Sequence, residues 1–141
     1  MTKKIEVFIR EEKFEEVKQA LYDIGIVGMN VIEVHGHGRD GGVTLAWRTG
    51  TYKLDMLPRY QLNVILSDHN LERVLETVRK AAYTGQSGDG IIFVYDVVDV
   101  LRIRTNERRA DALRYDDDID ERRKKEAKPV NGGQSGKVRN R

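Results

Sequence analysis

The chain has 141 residues, no cysteine, and 25 Lys/Arg against 23 Asp/Glu, for a formal net charge of +2. That length suits one domain, and the missing cysteines exclude a disulfide framework and thiolate metal chemistry, which fits a reducing cytoplasm. No apolar run approaches the ~18 residues of a membrane-spanning helix, and the first four residues lead into a strand pattern rather than a signal-peptide core. The charge is uneven. The last twenty residues hold eight Lys/Arg against one acid, which leaves the body of the chain at about −5.

Ile5, Val7 and Ile9 alternate with Glu6, Phe8 and Arg10, which predicts a first strand. Phe14, Val17, Leu21 and Ile24 follow at helical spacing over residues 11–22, and Gly25 and Gly28 close that helix. Residues 30–35 are β-branched and predict a second strand. Residues 37–56 then form a stretch too long for an ordinary turn, and loops of that length are mostly functional or disordered. Tyr60, Leu62, Val64 and Leu66 alternate as a third strand. Ser67 or Asp68 is placed to cap the next helix, whose apolar face is Leu71, Val74, Leu75, Val78 and Ala82. Residues 91–95 predict a fourth strand, and 97–103 read as extended. The order β-α-β-β-α-β predicts an α+β, ferredoxin-like sandwich with both helices on one face of an antiparallel sheet. The domain is expected over 1–113. The segment 114–141 reads as a charged, disordered tail, with an acid block (Asp116-Asp117-Asp118-Ile119-Asp120-Glu121) before the basic one.

The most informative stretch is Thr84-Gly85-Gln86-Ser87-Gly88-Asp89-Gly90, followed by an apolar strand and Leu101-Arg102-Ile103-Arg104-Thr105. Glycines let backbone amides approach an anion closely. Two arginines two apart on a strand point the same way, each offering a planar fork for phosphate oxygens.

Together with Lys3-Lys4-Ile5-Glu6, Gly25-Ile26-Val27-Gly28-Met29, Val34-His35-Gly36-His37-Gly38-Arg39 and Asp55-Met56-Leu57-Pro58-Arg59, this segment resembles the PII signal-transduction proteins over residues 2–107. The resemblance implies a cytoplasmic homotrimer that binds adenine nucleotide (ATP, ADP or AMP) in clefts between subunits and is not an enzyme. It implies that Gly38, Arg39, Gly88, Asp89 and Gly90 hold phosphate from one subunit, that Arg102 and Arg104 come from the next, and that Asn30 and Ile65 flank adenine and ribose. The long loop at 37–56 is then the surface that meets a protein partner: an ammonium channel, another transporter, or a metabolic enzyme. Trp47 and Arg48 are its contact candidates, and Tyr52 stands where some members are uridylylated.

The departures are as telling. Asp40 replaces the glutamine that helps hold Mg²⁺ and 2-oxoglutarate in the family, Ile91 replaces a phosphate-binding lysine, and Gly41 and Asn63 replace a basic residue and an acid. Arg59 keeps the positive charge facing the 2-oxoglutarate position. The expectation is that nucleotide binding survives, Mg²⁺ remaining a companion, while 2-oxoglutarate sensing is weakened. A rival reading is a nucleic-acid-binding module that uses the basic tail on a ferredoxin-like body. The tail lacks interleaved aromatics, which weighs against it.

Overall fold

Alternating apolar residues set the first strand, and the rest of the domain packs on it. The structure, a computed structural model, describes residues 1–38, 43–54 and 56–128, and for residues 43 and 52–54 the backbone alone. β1 (Thr2–Arg10) buries Ile5, Val7 and Ile9 on one face and turns Lys4, Glu6 and Phe8 to the other. It lies between β5 (Leu57–Ser67) and β6 (Gly90–Val97), antiparallel to both, with Val7 opposite Leu62 and Ile92. β2 (Asn30–Gly36) pairs with the outer edge of β5, giving the order β2-β5-β1-β6.

The covered face carries two helices, α1 (Phe14–Asp23) and α2 (Leu71–Ala82), which present Val17, Leu21, Val74, Val78 and Ala82 to the sheet. Burying each of the Val and Leu side chains among them contributes about 1.5–3 kcal/mol. The βαββαβ order and both helices on one face are those of the expected ferredoxin-like fold. α1 stops at a glycine for a backbone reason. Gly25 has φ +94°, its N–H donates to the Tyr22 carbonyl at 3.0 Å, and the Ile26 N–H reaches the Leu21 carbonyl at 2.9 Å. This left-handed closure satisfies two carbonyls that a helix end leaves open.

The long loop expected between 37 and 56 holds regular structure. β3 (Val43–Trp47) and β4 (Gly50–Leu54) form a two-stranded hairpin separate from the main sheet, with Arg48 and Thr49 at its turn. Arg39, Asp40 and Gly41, expected near its base, lie outside the described residues, as does the side chain of Tyr52.

Three expectations are corrected. Ser67 sits at the start of the helical turn before α2 but makes no capping bond, and the Asp68 carboxylate instead accepts from the N-terminal amine at 3.0 Å. The extended segment expected over 97–103 ends at Val97. Residues 101–108 fold back as a turn, closed by pairing of Leu101 with Arg108 and passing through Asn106 at φ +60°. Arg102 and Arg104 therefore do not share a strand face.

The third correction concerns the tail. Past a short helix, α3 (Arg109–Ala112), the acid block begins a further helix, α4 (Ile119–Ala127), that docks on the body. Asp118 caps it, accepting from the amides of Asp120 and Glu121 at 3.0 Å each. Ile119 is buried, and its N–H donates to the Gly25 carbonyl at 3.0 Å. Arg122 donates to the Asp23 carbonyl at 2.6 Å, where the negative end of α1 favours a cation. On the other side Asp120 accepts from Asn70 at 3.0 Å and meets His69 Nε2 at 2.7 Å. Disorder was expected because α4 is almost wholly charged. It is held by one apolar anchor and by polar contacts to the ends of both core helices. Residues 129–141 lie outside the described residues.

Candidate functional site

The glycine-rich loop after α2 is organised from inside by Asp89. Its carboxylate accepts from the Thr84 amide at 2.9 Å, the Gly85 amide at 3.0 Å, the Thr84 hydroxyl, and Arg10 Nε at 3.2 Å. The Thr84 hydroxyl and amide, then the Gly85 amide and Arg10, hold this carboxyl far below the usual carboxylate range despite its partial desolvation. Arg10 also donates to the Ser87 carbonyl at 2.6 Å, tying the loop to the end of β1. The Asp89 side chain is thus a pin that shapes the loop. The spacing of Thr84 and Asp89, five residues across two glycines, is the sequence signal for this pin, and the sequence reading gave Asp89 to phosphate instead.

Gly90 must be glycine. It has φ +115°, and a Cβ there would lie 1.8 Å from the Phe8 carbonyl oxygen. The loop is therefore pressed against β1, and its exposed side faces a cleft of about 730 Å³. That cleft brings Gly88, Asp89 and Gly90 together with Gly38, His37 and the half-buried Arg59. Ile91 also lines it, so an apolar side chain stands where the resemblance places a cation. The volume falls within the range of small-molecule sites, about 300–1,000 Å³.

Asn30 and Ile65 are not in this cleft. They line a second cavity of about 300 Å³, formed by the segment after α1, by β5, and by residues 113–120. Asn63 donates to Asn30 across the strands at 2.9 Å and accepts from Gln61 at 3.0 Å, so the position expected to hold an acid is part of an amide chain. Arg102 and Arg104 line neither cavity. The Arg102 guanidinium donates to the Ala112 carbonyl and stacks over the Tyr115 ring, 4.9 Å from its centroid, while Arg104 is exposed. Trp47 is 66% exposed at the hairpin end beside Arg48, the arrangement of a contact anchor. The sequence reading missed Tyr115 and the acids around Ile119 as cavity lining. Asp118 followed three residues later by Glu121 was the available signal, since that pairing marks a helix start.

The site thus comprises a glycine loop shaped from inside beside a cleft, and a hairpin separate from the main sheet. The family model described as nitrogen regulatory protein P-II matches residues 2–107. The chain belongs to the P-II family. Among its curated relatives, the nitrogen regulatory protein P-II of Rhizobium meliloti is 47% identical over 111 residues, covering 79% of this chain and 99% of the relative. Nitrogen regulatory protein P-II 1 of Methanothermobacter thermautotrophicus is 46% identical over 111 residues, covering 79% and 96%. The crystal structure of Arabidopsis thaliana PII bound to citrate superposes with a TM-score of 0.65 at 32% identity, covering 79% of this chain and 91% of that one. P-II proteins are signal-transduction regulators, and this chain shares their ferredoxin-like body. It also carries roughly thirty residues that the Rhizobium meliloti relative lacks, and α4 lies among them.

Proposed function

We propose that the protein is an adenine-nucleotide-responsive P-II regulator, working as a cytoplasmic homotrimer. The observation that carries this reading is the division of the site. One end of the sheet offers a glycine loop and a cation, and the other offers a small cavity lined by Asn30 and Ile65. A second copy supplying its own Asn30 and Ile65 would complete a nucleotide site, with Gly38, Arg39 and Gly88, Asp89 and Gly90 on the phosphates. Asp89 contributes through the backbone it shapes. Arg104 and, once released from Tyr115, Arg102 add charge from the neighbouring copy. The described residues hold no cluster of three or more His, Cys, Asp or Glu in metal-binding geometry. In this reading Mg²⁺ is held mainly by the phosphates, with Asp40 as a carboxylate ligand, which suits a hard cation.

Nucleotide state controls the 37–56 loop, and Trp47, Arg48 and Tyr52 present it to a transporter or a nitrogen- or carbon-metabolism enzyme. A ligand acts on such a loop only through different affinity for its two states. Response to 2-oxoglutarate is weakened by the apolar Ile91 and the acidic Asp40. Losing one charged hydrogen bond to phosphate costs roughly 1.5–3 kcal/mol, about ten- to a hundredfold in affinity. The citrate in the Arabidopsis thaliana relative supports a family scaffold that accepts small carboxylates, so residual binding through Arg59 is part of this reading. Calorimetric titration with ATP, ADP and AMP, with and without Mg²⁺ and 2-oxoglutarate, tests it. Adenine nucleotide binding with little gain from 2-oxoglutarate is the expected result. Micromolar 2-oxoglutarate binding that depends on ATP would refute the weakened-sensing part, and absence of nucleotide binding would refute the whole.

A further inference from the structure

We propose that Tyr115, carried by the C-terminal extension, is a nucleoside-contacting residue of the cavity that Asn30 and Ile65 line; the inference rests on the nucleotide reading above. The cavity is built jointly by the body and the extension. Gly28, Asn30 and Ile65 form one side, and Tyr115, Asp118 and Asp120 form the other. Its roughly 300 Å³ lies at the low end for ligand sites, the size of a base with its sugar rather than a whole triphosphate.

Its electrostatics point the same way. No Lys or Arg lines it, and two carboxylates do. Phosphate would be repelled there, whereas a neutral group rich in donors, such as a ribose, would not. The phosphates belong at the other cleft, beside Arg59 and the glycine loop. Tyr115 is also held in place. Its N–H donates to Asp118 at 3.0 Å. The ring tip sits so close to the backbone after α1 that a Cβ on Gly28 would lie 3.4 Å from the Tyr115 hydroxyl. An aromatic ring fixed at the wall of such a cavity is a surface for stacking a base.

The test is calorimetric titration of the full-length protein with ADP at fixed salt, comparing wild type with Tyr115→Ala, Tyr115→Phe and Glu126→Ala. Tyr115→Ala should weaken ADP roughly five- to a hundredfold, the range of base–aromatic stacking. Tyr115→Phe should keep most of the affinity, and Glu126→Ala should change nothing. Hydrogen exchange at the Ile119 amide, bonded to Gly25, reports whether the extension stays docked. If Tyr115→Ala releases it, Tyr115→Leu, which fills the space without an aromatic face, is measured in its place by the same rule. Unchanged binding overturns the inference, and tighter binding overturns it by making Tyr115 a plug. Failure of wild type to bind any adenine nucleotide overturns the nucleotide reading itself and this inference with it.

Discussion

Asp89 shows how a motif residue can turn its side chain back into its own loop. Four donors converge on its carboxylate, one of them a cation, and they draw the glycine loop into a fixed curve against β1. The consequence for pH has a definite sign. A carboxyl whose folded pKa is depressed contributes stability that is present above its unfolded value, about 3.9, and lost as pH falls through the folded value. Amide exchange at Gly85 should therefore stay slow down to about pH 4 and accelerate only below it. Acceleration already between pH 6 and 5, roughly a unit or more above that value, would show that the pin is not ionised and bonded in solution. Asp89 was legible as part of a motif. Its role was not, because spacing alone does not say whether a carboxylate turns outward or back into its own loop.

At the scale of elements, α4 depends on a single apolar anchor. Ile119→Ala should cost about 2–5 kcal/mol, more than exposed ion pairs such as Arg73–Glu126 at 3.7 Å can restore. The expected outcome is release of α4 while sheet and core helices persist. It would be seen as fast exchange and early proteolysis confined to residues 113–128, with far-UV circular dichroism nearly unchanged. Global unfolding at the same temperature would mean that the extension is part of the core. The four sheet strands and two core helices were legible because their apolar residues recur at periods of 2 and 3.6. α4 has no such period. Its docking uses Asp120 and Arg122 against helix ends that are far away in sequence. The turn at 101–108 was misread for a related reason. Leu101, Arg102, Ile103 and Arg104 alternate like a strand, but Asn106 takes a left-handed backbone that reverses the chain.

At the scale of the whole molecule, one sheet face is left uncovered by the described residues. Ile91, Phe93 and Tyr95 of β6 are each roughly half exposed there, and Phe93 meets Phe8 edge-on at 5.9 Å. Beside them Glu6 accepts from Lys4 at 2.9 Å and from Tyr95 at 3.2 Å, so the charges on this face are already paired. An apolar patch with satisfied charges is suited to burial against other copies. Phe93→Asp should convert a trimer to monomer in sedimentation velocity and abolish nucleotide binding with it, since the proposed site draws its two halves from two copies. A variant that stays trimeric would exclude this face as the interface. The sequence named and grouped the candidate residues only through the family resemblance, because which copy supplies which residue has no local signature in the periodicity.

Gly25 carries a different kind of consequence. Any Cβ there would fall 2.5 Å from the backbone nitrogen of Ile119. The bare backbone that ends α1 is thus also the seat of the added segment, and two stretches far apart in the chain can no longer drift independently. A lineage that drops the extension frees Gly25 from this neighbour but not from its left-handed turn. One that keeps the extension is bound to glycine twice over, by the left-handed turn and by the segment seated on it.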